Sequence, residues 1–188
     1  NSTSGIGSYS GRLAASFVTN PARVWNPREL ASFGLGTARP TEPGAAYRDS
    51  DAGYLLLGLA LERATGKSAA KLFNERIFTP LALDATSLPT GDGQWSTRAS
   101  LDGGYSPKVD GVLNCAESVD MSGISTTSGY TDTGVVSTIS DLGHYTQALA
   151  TGALTRDNDL AKDRYANPFP ASKTAPAWFT VTGGTYQA

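Results

Sequence analysis

The chain has 188 residues, enough for one domain with its own core, and 15 Lys and Arg against 17 Asp and Glu give a net charge of −2 and a pI near 5.3. That balance supplies no electrostatic case for binding nucleic acid or an anionic membrane. Apolar residues at 39%, charged residues at 17%, 21 Gly and 10 Pro describe a loop-rich globular chain, with no stretch as long as a membrane span.

Residues 1 to 24 are rich in Gly and Ser and read as loop, with Leu13 to Val18 as a short helix. Asn26, Pro27 and Glu29 then supply an N-cap, a proline at the first helical position and an acidic residue three after the cap. This predicts a helix through Phe33, ended by Gly34 and Gly36. Thr37 to Ala45 is a Pro/Gly connection.

The stretch from Pro43 to Leu83 is the most informative. Asp51 reads as an N-cap, and Tyr54, Leu55, Leu57, Leu59 and Leu61 form a run so apolar that the helix is expected to be buried on most of its surface. Gly66 ends it. Ser68 caps a second helix with Ala69, Leu72, Phe73, Arg76 and Ile77 at helical spacing, stopped by Thr79 and Pro80, so the pair forms a helical hairpin.

From Leu83 to about residue 133 the chain reads as irregular. Trp95, Gly103-Gly104 and Tyr105-Ser106-Pro107 suggest turns, and Ser122 to Thr133 is rich enough in Ser, Thr and Gly to suggest a mobile or extended insertion. Ser140 and Asp141 start a helix whose Leu142, Tyr145 and Leu149 share a face, ending at Gly152. Asp157 to Thr174 is polar and proline-punctuated, as in a linker, and Ala177 to Tyr186 has strand composition around a glycine turn. Cys115, the single cysteine, permits no disulfide and reads as a small buried hydrophobe.

Four blocks in this order resemble the serine β-lactamase and penicillin-binding superfamily, closest to class C β-lactamases and D-alanyl-D-alanine carboxypeptidases. They are Thr3-Ser4-Gly5-Ile6, then Pro43-Gly44 with Tyr47, Tyr54, Leu56-Leu57-Gly58 and Thr65-Gly66, then Ile77-Phe78-Thr79-Pro80-Leu81, then Gly134 to Leu142. The resemblance implies an α+β fold of which this chain is mainly the α-helical subdomain, with long loops and a short C-terminal strand. Residues 1–156 would be that subdomain, 157–176 a linker-like segment, and 177–188 a strand leading into a sheet made elsewhere.

Hydrolysis in this superfamily uses a serine one helical turn before a lysine, so that the amine takes the hydroxyl proton, together with a Tyr-x-Asn element and a Lys/His-Thr-Gly strand. The resemblance places the nucleophile well before the Thr-Ser-Gly block, where this chain begins, so the chain reads as a piece lacking the nucleophile helix. Counting from Pro43-Gly44 places Tyr-x-Asn on Asp49-Ser50-Asp51. A carboxylate near ~4 replaces a phenol near ~10 at Asp49, and Asp51 keeps an acceptor but loses two amide donors. Asp51 is therefore open to two readings, helix N-cap or substrate contact, while Ser50 is retained as a substrate-side residue.

Ser68-Ala69-Ala70-Lys71 is a literal Ser-x-x-Lys, but it follows the triplet position instead of preceding it, so Ser68 is either a cap or a displaced nucleophile with Lys71 as its base. Lys173-Thr174-Ala175 and Val181-Thr182-Gly183 each match Lys-Thr-Gly with one position wrong, and the triplet proper is expected beyond Ala188. The lone His144 falls off the apolar face of its helix and reads as solvated, with neither a metal cluster nor a Gly-x-Ser-x-Gly elbow beside it.

The expected function is thus part of a serine hydrolase whose parent cleaves D-Ala-D-Ala peptides, β-lactams or small esters through an acyl-serine, this chain alone being inactive. Alternatives are a non-catalytic module binding cell-wall peptide or a protein partner, and a small esterase using Ser68 and Lys71. No cofactor is implied. The partners implied are the remainder of the parent fold and a small peptide or ester, in an extracytoplasmic or secreted bacterial setting.

Overall fold

The computed structural model describes residues 3–46, 48–91 and 125–154, without the side chains at 14, 15, 17 and 18, together with the backbone of six short strands elsewhere. Helix α1 runs Ser10–Thr19 and α2 runs Pro27–Leu35. Asn26 caps α2, its side chain accepting from the Arg28 amide at 2.8 Å, and proline occupies the first helical position.

Helix α3, Asp51–Thr65, is the axis of the molecule. Its N-cap is Ser50, not Asp51: the Ser50 hydroxyl accepts from the Gly53 amide at 3.0 Å, and Asp51 is the first helical residue. The physical reason is reach, since Ser50 has the extended backbone of a cap and a short hydroxyl three residues before an orphan amide. Gly66 closes α3 in the left-handed conformation (φ 68°) that its missing Cβ permits.

The expectation that α3 is buried on most of its surface is corrected. Ala52, Leu55 and Gly58 face the core, while Leu57 and Leu61 on the other side are 54% and 43% exposed. An apolar run fixes how much of a helix prefers burial, not how many neighbours surround it.

Helix α4, Ala69–Phe73, is capped by Ser68 as expected and then widens into a π-turn, Asn74–Phe78, where the spacing suggested a continuous α-helix. The Thr79 amide reaches back five residues to the Asn74 carbonyl at 2.9 Å. Widening the turn brings Phe73 and Phe78 edge to face, ring centres 6.0 Å apart.

The segment expected to be a mobile or extended insertion is ordered over its described part: a 3₁₀ turn at Thr126–Ser128 and a one-turn helix α5, Tyr130–Thr133. Ser125, Thr127 and Tyr130 are buried there. Hydroxyl-rich sequence reads as solvated, yet here its groups are satisfied internally. Thr127 accepts from the Trp25 amide at 2.9 Å, and the Ser125 amide donates to the Pro21 carbonyl at 2.8 Å.

Helix α6, Ile139–Thr151, is capped by Thr138 and closed by left-handed Gly152. Its inner face is Asp141 and Ala148 with half-buried Tyr145 and Leu149, whereas Leu142, expected inside, is 51% exposed. The core unites Tyr9 just before α1 and Leu13 within it, Trp25, Leu30 and Ala31 around α2, and Leu55 on α3, with Tyr130 closing it.

The strands pair in three antiparallel hairpins or ribbons. Strand β1 (Gly104–Tyr105) pairs with β4 (Val119–Asp120), β2 (Lys108–Val109) with β3 (Val112–Leu113), and β5 (Trp178–Val181) with β6 (Gly184–Gln187). The two strands that flank the expected glycine turn therefore partner each other. The expectations for Tyr47, Trp95, Ser106-Pro107, Cys115, the 157–176 linker, Lys173-Thr174-Ala175 and Thr182-Gly183 lie outside the described residues.

Candidate functional site

Three segments far apart in sequence converge on the N-terminus of α3. The loop holding Thr3-Ser4-Gly5-Ile6 lies beside Thr41 to Gly44, the Gly44 amide donating to the Thr3 carbonyl at 2.8 Å. Gly5 has φ 68°, and a Cβ there would overlap the Thr41 carbonyl, so this crossing requires glycine twice over, for conformation and for space.

Asp51 locks that loop to α3. Its carboxylate accepts from the Ser8 hydroxyl at 2.7 Å, the Tyr9 amide at 2.8 Å and the Ser10 amide at 2.9 Å. The last two amides open α1, so one carboxylate sits at the positive ends of both α1 and α3. Ser50 is 1% exposed, its hydroxyl donating to the Gly7 carbonyl at 3.4 Å while accepting from Gly53. Asp49, expected at the position of the family's tyrosine, is exposed. Two members of the triplet thus hold the edge together, and one faces solvent.

The third segment is the turn around α5, which sequence reasoning missed as part of this site. Tyr130 has φ 40°, unusual for a residue with a Cβ, and is clasped between Gly129 and Gly134, where added Cβ atoms would meet Gly134 and Tyr130 backbone respectively. Burial first, then Glu62 beside it, push its phenol well above the usual range, and the Glu62 Oε1 accepts from the Ala69 amide at 2.7 Å. Thr131 fills the space left by Gly58 on α3 and donates to the Tyr54 carbonyl at 3.0 Å.

This turn places Asp132 within electrostatic reach of Asp51 and Asp49. Burial first, then the two neighbouring carboxylates, push Asp132 up to about 6, while a hydrogen bond with Thr133 acts in the other direction. Beside it the Tyr9 phenol is pushed well above its usual range by burial, then by the charges of Asp51 and Asp132, and it donates to the Ser128 carbonyl at 2.8 Å. The edge therefore presents carboxyl groups, one of which holds a proton under mildly acidic conditions. The sequence signal for Asp132 was the Gly-Tyr-x-Asp-x-Gly pattern from Gly129 to Gly134, whose paired glycines imply a tight turn.

Ser68 and Lys71 lie at the far end of α3. The Ser68 hydroxyl accepts from the Lys71 backbone amide at 3.3 Å, and the Lys71 ammonium lies 3.9 Å from a Glu75 carboxylate oxygen. The structure thus brings Asp49, Ser50 and Asp51 together with residues of the first block and leaves Ser68 and Lys71 apart from them. His144 is exposed on α6. Among the described residues no group of three or more His, Cys, Asp or Glu is placed to hold a metal, and no helix is long and apolar enough to cross a membrane.

The two remaining blocks meet at the other end. Asp141 of α6 accepts from the Ala85 amide at 2.9 Å and the Thr86 hydroxyl at 2.7 Å, fastening the chain that follows Ile77-Phe78-Thr79-Pro80-Leu81. Ser87 and Val136 add a two-amide antiparallel bridge.

This helical arrangement is that of the β-lactamase-like fold. It matches a D-stereospecific amidohydrolase from Streptomyces sp. with a TM-score of 0.75 at 23% identity, over 90% of this chain and 51% of that one. A D-amino acid amidase from Ochrobactrum anthropi matches with a TM-score of 0.68 at 21% identity, over 85% and 43%. The penicillin binding protein from Bacillus halodurans matches with a TM-score of 0.64 at 15% identity, over 88% and 48%. The sequence profile of the Beta-lactamase family matches residues 2–186, and the chain belongs to that family. It spans about half the length of these solved relatives.

Proposed function

We propose that this chain forms the helical wall of the substrate cleft in a serine hydrolase of the β-lactamase family, acting on amide or ester bonds through an acyl-serine. The observation that carries the reading is the convergence of Thr3 to Ile6, Asp49-Ser50-Asp51 and the Asp132 turn on one edge of α3. In this reading Asp49 and Asp132 face the substrate, while Ser50 and Asp51 hold the edge rigid beneath them. The nucleophile and the Lys/His-Thr-Gly strand are supplied by the remainder of an α+β parent fold, since neither motif stands in family order within these 188 residues. Residues 1–156 are the helical subdomain, 157–176 the connection and 177–188 the approach to the sheet.

The substrate classes are D-Ala-D-Ala peptides, β-lactams, small esters and, by likeness to the two amidases, amides of D-amino acids. An extracytoplasmic bacterial location fits the peptidoglycan members of that set. A second reading is favoured by Asp49: a carboxylate in place of a proton-shuttling phenol suits a relative that binds cell-wall peptide or a protein without turnover. The test is acylation of the parent protein by a fluorescent penicillin and by a fluorophosphonate, with Asp49→Tyr alongside. The hydrolase reading expects a covalent adduct. Absence of any adduct, with D-Ala-D-Ala peptide still bound by calorimetry, would overturn it in favour of the binding module.

A further inference from the structure

Tyr9 spans the candidate site from behind. It is 2% exposed, its amide donates to Asp51 at 2.8 Å, and its phenol donates to the Ser128 carbonyl, 119 residues away, at 2.8 Å. One residue therefore joins the edge of α3 to the last residue of the 3₁₀ turn, from which Gly129 and Tyr130 lead to Asp132. Its hydroxyl lies within electrostatic reach of both Asp51 and Asp132.

The ring of Tyr9 belongs to the hydrophobic core, and a phenylalanine would fill that place equally well. The hydroxyl does not serve packing, because a buried hydroxyl costs desolvation that its hydrogen bond little more than offsets. Its specific effect is to hold the Ser128 carbonyl in place. The backbone just beyond is strained, with Tyr130 at φ 40°, and strain of that kind persists only where the surroundings over-determine the chain. Two other tethers act on the same turn, the Trp25 amide on Thr127 and the Thr131 hydroxyl on the Tyr54 carbonyl. Of the three, Tyr9 is the one bonded at its other end to the Asp49-Ser50-Asp51 triplet.

We infer that Tyr9 is a positioning residue of the proposed cleft, its hydroxyl fixing how far the Asp132 turn stands from the Asp49-Ser50-Asp51 edge. The inference rests on the reading of that edge as the substrate wall. Core packing alone would require the ring and not the hydroxyl.

Tyr9→Phe in the parent protein tests it, since this variant keeps the ring and the amide bond to Asp51 and loses only the hydroxyl. The first readout is the carboxyl titration of Asp132 by carbon-13 NMR, assigned with Asp132→Asn. Released from Tyr9, the turn should relax away from Asp51 and Asp49, and the Asp132 midpoint should fall from about 6 toward the ordinary carboxylate range. A fall of at least about 0.5 is expected from the loss of neighbouring charge and burial. The second readout is ligand capture: acylation by the fluorescent penicillin, or affinity for the D-Ala-D-Ala peptide where no adduct forms, should weaken about 10-fold. Leu13→Val, a change in the same core, should lower the melting temperature by about 3 °C and move neither readout. An unchanged Asp132 midpoint in Tyr9→Phe overturns the inference, whether or not the parent is acylated. So does a midpoint shift of the same size in Leu13→Val, or capture by Tyr9→Phe at the unmutated level. Absence of an adduct on the parent counts against the hydrolase reading, and the titration then decides this inference separately.

Discussion

Asp51 and Asp132 are neighbouring carboxylates with opposite environments. Asp51 accepts three hydrogen bonds from the Ser8–Ser10 strip, two of them from the amides that open α1. Charge-assisted bonds of this kind dominate local stability, so Asp51→Ala should cost about 3 kcal/mol in denaturant unfolding. A loss below about 0.5 kcal/mol, the range of an ordinary surface change, would show that the anchor is dispensable. Asp132 is instead pushed up to about 6 by burial, then by Asp51 and Asp49. The folded state therefore holds its proton more tightly than the unfolded chain does. Its contribution is present at low pH and is lost as pH rises from about 4 through about 6. Asp132→Asn should accordingly flatten that decline and raise stability at pH 8 by about 1 kcal/mol, a figure discounted for solvent screening at a half-exposed group. Thermal melts at pH 4 and pH 8 decide it, and an Asn variant less stable at pH 8 than the parent would refute the assignment.

Among elements, the contact of α5 with α3 shows how small residues set the site. Gly58 leaves room for Thr131, and Gly34 of α2 approaches Ala52 so closely that an added Cβ would overlap it. Gly58→Ala gains about 1 kcal/mol of helix propensity yet should destabilise the chain by about 2 kcal/mol net, because the new methyl meets Thr131. Thr131→Gly in the same background should recover part of the loss. The helices themselves were legible, because Asn26-Pro27, Ser68, Gly66 and Gly152 are local signals whose physics lies within a few residues. The α5 turn was not. Its Ser and Thr suggested solvation, and only the distant Pro21 to Trp25 strip and Gly58 show why those hydroxyls are buried. The cap at α3 slipped by one residue for a similar reason: Asp51 has the right chemistry for an N-cap, but its partners are 41 to 43 residues away.

Across the whole molecule, the four sequence blocks that carried the family resemblance occupy two ends of one helical assembly. The Thr3 to Ile6 and Pro43 to Gly66 blocks meet at the start of α3, and the Ile77 to Leu81 and Gly134 to Leu142 blocks meet around Asp141. That is why family order was readable from short motifs while exposure was not: motifs encode local contacts, and the solvent side of Leu57 and Leu61 depends on what else surrounds α3. The central claim is that the candidate site is the α3 edge, with Ser68 acting as a helix cap. Intact-mass spectrometry of the 188-residue chain after incubation with a fluorescent penicillin and, separately, a fluorophosphonate tests it most directly, with Ser68→Ala in parallel. The account predicts no adduct on either protein. An adduct on the parent chain that disappears in Ser68→Ala would make Ser68 the nucleophile and contradict the assignment of the site to Asp49, Ser50, Asp51 and Asp132.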